Sequence, residues 1–470
     1  MGTLQHVIWH KNKEKVMAEY IIEADQMAEH LSRVVQFPTI SHSRESDMDF
    51  EPFYAMQEYL EKTYPLLHRT LKKEIVGKAG LLYLWQGTGK SKAKPLMLMA
   101  HQDVVPVGDL SKWTYPPFSG TIRDGQVWGR GASDVKSLII AHMEAIEYLL
   151  SVGYCPDYDI YLAYGYNEEV NGGEEGDRSS AKMVAEIMRS RGIQLGGVID
   201  EGTSARGNGY CGVEGDVCVI GVGEKGYADY EIVYRGKGGH TGAPHADNPT
   251  TKIAQAIMAI AENPYPYRIT PENHLELQLY GRSMKDRERA ELFLHMDERW
   301  DEMKEYLDKE PFMAGKFHTT MAVSMLRGSD QANVLPDTAS LIVNCRLLPE
   351  DTLDSVKEYL KSIVPEGADI RLLKGCNPSP TSSLDSRLYR LIPKMFEDRH
   401  PDMPVFPDYM LGGMDAKHMT GLTDNVYRFL PFFINGASGS GVHGVNECMT
   451  ISDLVTGPDF YIKLLPEYGK

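Results

Sequence analysis

Five short segments carry side chains able to hold a metal ion. They are "AHQDVV" with His101 and Asp103, "GRGASDVK" with Asp134, "YNEEV" with Glu168 and Glu169, "VIDEG" with Asp200, and "GVHGVNE" with His443. Each lies where an apolar run ends or beside a glycine. Two imidazoles and several carboxylates suit zinc, cobalt or manganese better than magnesium or calcium. None of the five holds a cysteine, which disfavours a structural cysteine-type zinc site. The His-x-Asp pair has a logic of its own. A ligating imidazole usually donates its second N–H to a carboxylate, and one intervening residue on an extended segment lets both side chains point the same way.

Something must bring these segments together. "GLLYLWQG" and "PLMLMAHQD" are short apolar runs bounded by glycine or proline and predict strands. "SLIIAHMEAIEYLLSVG" predicts a helix ending at Gly153, "DYDIYLAYGYNEE" a strand, "SSAKMVAEIMRSRG" a helix and "LGGVIDEG" a strand. Upstream, "VMAEYIIEADQMAEHLSRVVQ" has helical spacing and Pro38 ends it. Strand–helix alternation over residues 75–202 indicates an α/β domain with a largely parallel sheet and helices on both faces. In such sheets sites lie beyond the carboxyl ends of the strands, where His101, Glu168, Glu169, Asp200 and Glu201 fall.

The pattern changes after about Gly223. "GYADYEIVYRG" alternates like a strand with one solvated face, "TTKIAQAIMAIAENP" is helical, and residues 338–373 read strand, helix, strand. The charged stretch at residues 286–309 is helical and reads as a solvated face. This predicts a small antiparallel α+β domain, residues 223–378, inserted into a first domain formed by residues 1–222 and 379–470.

Composition narrows the class. The 470 residues are 42% hydrophobic and 24% charged, close to an ordinary soluble protein. A net charge of -17 with no basic run argues against nucleic-acid binding. No apolar run approaches a membrane span, and "MGTLQHVIWHKNKEKVMAEY" lacks a signal-peptide core. The six scattered cysteines without CxxC are expected to be reduced thiols, so a cytoplasmic protein is expected.

In order along the chain, "HQDVVPV", "WTYPPFSG", "GQVWGRGASDVK", "NEEVNGG", "VIDEG", "GGHTGAPH", "ANVLPDTA" and "HGVNE" resemble the di-metal exopeptidase and amidohydrolase family. That family includes carboxypeptidase S, aminoacylase, carnosinase, acetylornithine deacetylase and succinyl-diaminopimelate desuccinylase. The match is strongest to the carboxypeptidase S and N-fatty-acyl-amino-acid hydrolase branch. The resemblance implies two divalent ions per chain, zinc first, cobalt or manganese otherwise. His101 would bind one and His443 the other, with Asp134 bridging and Glu169 and Asp200 completing the two sites. Asp103 would orient His101, and Glu168 would be the general base. The inserted domain would act as lid and dimerisation element, with His240 of "GGHTGAPH" reaching the neighbouring subunit's site in a homodimer. Arg346, Asn333 and the Gly412–Gly413 turn would contact the substrate.

The sequence departs from the family's pattern at Ser133, Val135, Met414 and Cys448, but no expected ligand is missing. The expected activity is cleavage of the amide joining an acyl or aminoacyl group to an amino acid with a free carboxylate. The substrate is a small peptide or N-acyl amino acid. A small-molecule deacetylase or desuccinylase, or a non-catalytic carboxylate-binding relative, are the alternatives. No GxGxxG follows the first strand, and the glycine-rich run at residues 436–444 forms no convincing nucleophile elbow. That run is expected to give His443 a flexible approach.

Overall fold

The structure, a computed structural model, describes residues 23–170, 179–435 and 441–470. The chain divides into two compact units. One runs up to Gly221 and takes in Ser382–Phe406 and Met414–Lys470; the other is Val222–Thr381 with Pro407–Gly413.

The larger sheet has eight strands, the first six of them wholly in the first unit. Its order is Lys72–Val76, Gly80–Trp85, Ile160–Gly165, Leu96–His101, Gly197–Arg206, Val426–Ile434, Val217–Glu224 and Val405–Met410. The four central strands, from Ile160–Gly165 to Val426–Ile434, run parallel. Lys72–Val76, Gly80–Trp85 and Val217–Glu224 pair antiparallel. Val76 and Gly80 are too close in sequence for a crossover, so a hairpin forms.

The parallel strands are joined by helices Lys136–Ser151 and Ser180–Ser190. Every residue of Leu96–His101 is buried, as a strand covered on both faces must be. Met97 and Met99 pack with Val184, Ala185 and Met188 of Ser180–Ser190, whose first turn is capped by the Ser179 hydroxyl accepting from Lys182 N–H. Of the predicted N-terminal helix, Ala24–Val35 is helical and the part before residue 23 lies outside the described residues. Residues 171–173 of "NEEVNGG" and residues 436–440 of the glycine-rich run also lie outside them.

The second unit carries a four-stranded antiparallel sheet in the order Thr320–Arg327, Thr338–Leu347, Gly226–Arg235 and Asp369–Cys376. Helices Pro249–Glu262 and Leu353–Ile363 cover one face. There Tyr230, Ile232, Leu341, Val343 and Cys345 meet Ile253, Ala256, Val356 and Leu360. The alternate residues Tyr227, Asp229, Asn344 and Arg346 stand on the other face. The charged stretch forms two helices, Arg287–Leu294 and Trp300–Leu307. Among the described residues no helix is long and apolar enough to cross a membrane, and all six cysteines are free.

Candidate metal centre

Side chains from all five sequence segments lie near one another, that of "VIDEG" being Glu201. His101 ends its strand with its ring 1% exposed. Its Nδ1 lies 2.9 Å from the Asp103 carbonyl oxygen. A carbonyl can only accept, so Nδ1 carries the proton and Nε2 faces the cluster. Nε2 lies 3.1 Å from Asp134 Oδ1 and 3.3 Å from Glu201 Oε1. Asp134 presents its other oxygen, Oδ2, to His443 Nε2 at 3.0 Å, and Glu169 Oε2 is 2.9 Å from the same nitrogen. Two groups that could hold a metal ion result, His101–Asp134–Glu201 and Asp134–Glu169–His443, each with its donor atoms within 4.8 Å of one another. Asp134 belongs to both.

The sequence expectation placed Asp200 in this set, and the structure places Glu201 there instead. Asp200 pairs with Arg428 of the neighbouring strand, but the next pair is Thr203 with Phe429, so Glu201 and Gly202 bulge out of the ladder. A bulge re-aims a side chain. Gly202 permits it: a Cβ there, at φ +149°, would stand 2.5 Å from Arg428 Cβ. The Asp200 carboxylate is occupied with backbone, accepting from Glu201 N–H at 2.9 Å and Ala416 N–H at 2.8 Å.

Asp103 does more than face His101. Its Oδ1 is 3.5 Å from His101 Nδ1 and accepts from Glu168 N–H at 3.1 Å, and its Oδ2 accepts from Glu169 N–H at 3.2 Å. It therefore fixes the Glu168–Glu169 backbone against the His101 strand. Glu168 is buried and stands outside both ligand groups. Asp415, from "LGGMDAKHM", is buried close by; a Cβ at Gly165 would lie 2.6 Å from its carboxylate.

The electrostatics follow from packing carboxylates together out of water. Burial pushes Glu168 well above the usual carboxylate range, and the nearby Glu201 charge adds to it. Burial likewise raises Glu169, Asp200 to about 6, Glu201 to about 8 and Asp415 to about 7. Burial also raises Asp134, but its bonds to His101 and His443 win and hold it below its ordinary value. Burial opposes charge on His101, yet the Glu201 charge and bonds to Asp103, Asp134 and Glu201 leave it well above an ordinary imidazole. Bonds to Asp134 and Glu169 push His443 up to about 10.

The substrate-contact expectations fall in the second unit. His240 is exposed on the short strand Gly239–His240, which pairs with Val334–Leu335, and its Nδ1 accepts from Gly242 N–H at 2.9 Å. Asn333 sits beside it, its carbonyl accepting from the Thr241 hydroxyl at 3.4 Å. Arg346 is half-buried opposite Tyr227, with its guanidinium 4.7 Å from that ring's centroid. The Tyr227 hydroxyl donates to Asp229 at 2.6 Å, and Asn344 donates to the other oxygen of Asp229 at 2.8 Å. Gly412 and Gly413 follow the strand Val405–Met410, and a Cβ at Gly412 would have nothing within 4 Å.

Residues 97–467 match Peptidase family M20/M25/M40. The chain belongs to that family. It is 33% identical over 495 residues to carboxypeptidase S of Saccharomyces cerevisiae, covering 94% of this chain and 84% of that protein. It is 30% identical over 434 residues to an N-fatty-acyl-amino acid synthase/hydrolase of Mus musculus, covering 90% and 84%. Its fold is similar to that of an M20 family metallo-carboxypeptidase from Sulfolobus solfataricus, with a TM-score of 0.68 and 21% identity over 96% of this chain and 100% of that one. This M20 enzyme is therefore a metal-dependent hydrolase of amide bonds.

The sequence placed Glu201 with Asp200 at the carboxyl end of its strand, and nothing local distinguishes the two as ligands. Glu447, at the end of the "GVHGVNE" segment, received no role from the sequence, yet its carboxylate accepts three backbone N–H groups from the Asp134 loop.

Proposed function

We propose that the chain cleaves the amide between an acyl or aminoacyl group and an amino acid bearing a free carboxylate, using two divalent ions, zinc first among them. His101, Asp134 and Glu201 would hold one ion, and Asp134, Glu169 and His443 the other. The observation that carries this is Asp134, with one oxygen directed to each imidazole. The donor set of nitrogen and oxygen without sulfur fits zinc, cobalt or manganese. Such ions supply Lewis acidity and lower the pKa of a water.

This chain's residues supply the rest. Glu168, buried and outside both ligand groups, takes the proton of the attacking water and returns it to the leaving amine. Asp103 holds Glu168 at the edge of the sheet through its backbone N–H. Arg346 offers the substrate carboxylate a planar fork already steadied on Tyr227, and Asn333 and the Gly412–Gly413 turn contact the rest of the substrate. His240 stabilises the oxyanion, from the partner subunit in a homodimer. The edge strand Thr320–Arg327, with Met325 and Leu326 exposed, supports association through the second unit. The free cysteines support a cytoplasmic setting.

The test strips the protein with chelator and reloads it with zinc, cobalt or manganese. Dipeptides, N-acetyl amino acids and long-chain N-acyl amino acids are then assayed, each beside its carboxamide. Two ions per chain, restored cleavage and preference for the free carboxylate are expected. Failure to bind metal overturns the mechanism, and equal cleavage of the carboxamides overturns the role of Arg346.

A further inference from the structure

The two ligand groups are not supported in the same way. His101 ends a fully buried strand and its Nδ1 is fixed by the Asp103 carbonyl, so its Nε2 is aimed by the sheet. His443 has 58% of its side chain exposed and sits in a loop at φ 57°, a left-handed conformation unusual for a residue with a Cβ. Something outside the sheet must hold that loop.

What holds it is an ion pair between Glu447, 0% exposed, and Arg130, 2% exposed. Glu447 Oε2 accepts from Arg130 Nη1 at 2.7 Å and from Gly131 N–H at 3.0 Å. Its Oε1 accepts from Ser133 N–H at 2.8 Å and Asp134 N–H at 3.0 Å. The other arm of the guanidinium, Nη2, donates to the Gly444 carbonyl at 2.7 Å, one residue beyond His443. The guanidinium also lies 5.5 Å from the Trp113 ring centroid. Next to Trp113, Thr114 N–H donates to the Asn446 side chain at 2.7 Å.

We infer that Arg130 and Glu447 are positioning residues that set the relative affinity of the two metal positions. Glu447 fixes the backbone of the shared ligand Asp134 and so acts on both. Arg130 balances that carboxylate through one arm, and through the other, bonded to the Gly444 carbonyl, acts on the Asp134–Glu169–His443 position alone. A buried carboxylate accepting four donors needs a cation beside it, and a planar fork lets one side chain serve both Glu447 and Gly444. Lysine has no second arm. The inference rests on the two-position reading proposed above.

The test is a zinc titration of the full chain against a competing chelator, with bound metal counted by mass spectrometry, for wild type, Arg130→Met, Arg130→Lys and Glu447→Gln. Near-ultraviolet circular dichroism and melting of the stripped proteins report folding. Wild type should bind two equivalents. Arg130→Lys should lose about 10–100-fold in affinity for one equivalent, the range for residues that orient metal ligands, whereas Arg130→Met, which also leaves buried Glu447 without its cation, should weaken both. In Arg130→Lys the second equivalent should stay within about twofold. Glu447→Gln, which keeps shape but turns an amide N–H toward other donors, should weaken both. Arg130→Lys guards against misfolding, since it retains charge beside Glu447 and loses only the reach to Gly444. Unchanged affinities, or equal loss of both equivalents by a folded Arg130→Lys protein, overturn the inference. Fewer than two equivalents on wild type refutes the two-position reading itself, and the brace with it.

Discussion

Replacing Glu168 by glutamine separates proton transfer from everything else at the site. The side chain is buried and its backbone N–H is held by Asp103 at 3.1 Å, so an isosteric change leaves the position of the residue intact. It belongs to neither ligand group, so metal content is expected to stay at the wild-type value. What is lost is a group that can accept a proton from water and return it to the leaving amine. General acid–base catalysis contributes about 10²–10⁴-fold, and one residue serving both steps belongs at the upper end. A fall in kcat of about 10³–10⁴-fold corresponds to about 4–5.5 kcal/mol of transition-state stabilisation. KM should change little, because Glu168 is given no part in holding the substrate carboxylate. The assay is steady-state hydrolysis of the best substrate by metal-loaded protein, with metal counted on the same sample. A Glu168→Gln protein with full metal and more than about a tenth of wild-type kcat would refute the general-base assignment. Loss of one metal equivalent would instead make Glu168 a ligand.

The bulge at Glu201 and Gly202 yields a second test. Glu201→Gln should weaken the His101 position by about 100-fold or more, whereas Asp200→Asn, which alters a residue orienting the ligand strand, should cost about tenfold; the reverse order in a zinc titration would restore Asp200 as the ligand. His142 gives a third, on stability. It is buried with neither ring nitrogen hydrogen-bonded, and burial lowers its pKa to about 3 from an ordinary value near 6.5. Its folded pKa is depressed, so between those values the unfolded chain binds the proton and the folded one does not. Stability therefore falls as pH drops from about 6.5 toward 3, by about 2 kcal/mol at pH 5. His142→Phe should remove that part of the acid sensitivity in urea melts at pH 5 and 7, and an unchanged difference between the two pH values would show that the ring is hydrated in the folded state.

Much of the site was legible because the signals are local. A five-residue apolar run leading into His101 reads as a buried strand, and His101, Asp134, Glu169 and His443 could be picked out in their segments by residue type and family motif. The choice between Asp200 and Glu201 was not legible. It depends on where the ladder to Phe429 slips, which is set by pairing with a strand more than two hundred residues away. The expectation of a largely parallel sheet holds for the four central strands, and the antiparallel edge follows from the short link between Val76 and Gly80. The role of Glu447 was hidden for the same reason as the bulge. Its four donors, Arg130, Gly131, Ser133 and Asp134, are distant in sequence, and a carboxylate in "HGVNE" carries no local mark of what it accepts.

One device recurs around the cluster. Asp103 accepts the N–H groups of Glu168 and Glu169, Asp200 those of Glu201 and Ala416, and Glu447 those of Gly131, Ser133 and Asp134. Each of these buried carboxylates fixes the backbone of a segment that presents a candidate ligand or the proposed general base. Ionised carboxylates only accept, so they bind amide N–H groups firmly and bring negative charge toward the same centre. Burying that charge is costly unless cations answer it. Arg130 answers Glu447 directly, at 2.7 Å. The rise of His101 and His443 above ordinary imidazole values shows the same demand at the centre. Divalent ions there would meet it without protonating the imidazoles, freeing Nε2 of each ring to ligate. On this argument the scaffold and the metal sites are one electrostatic design: carboxylates that hold the loops in place also make the centre favourable to cations.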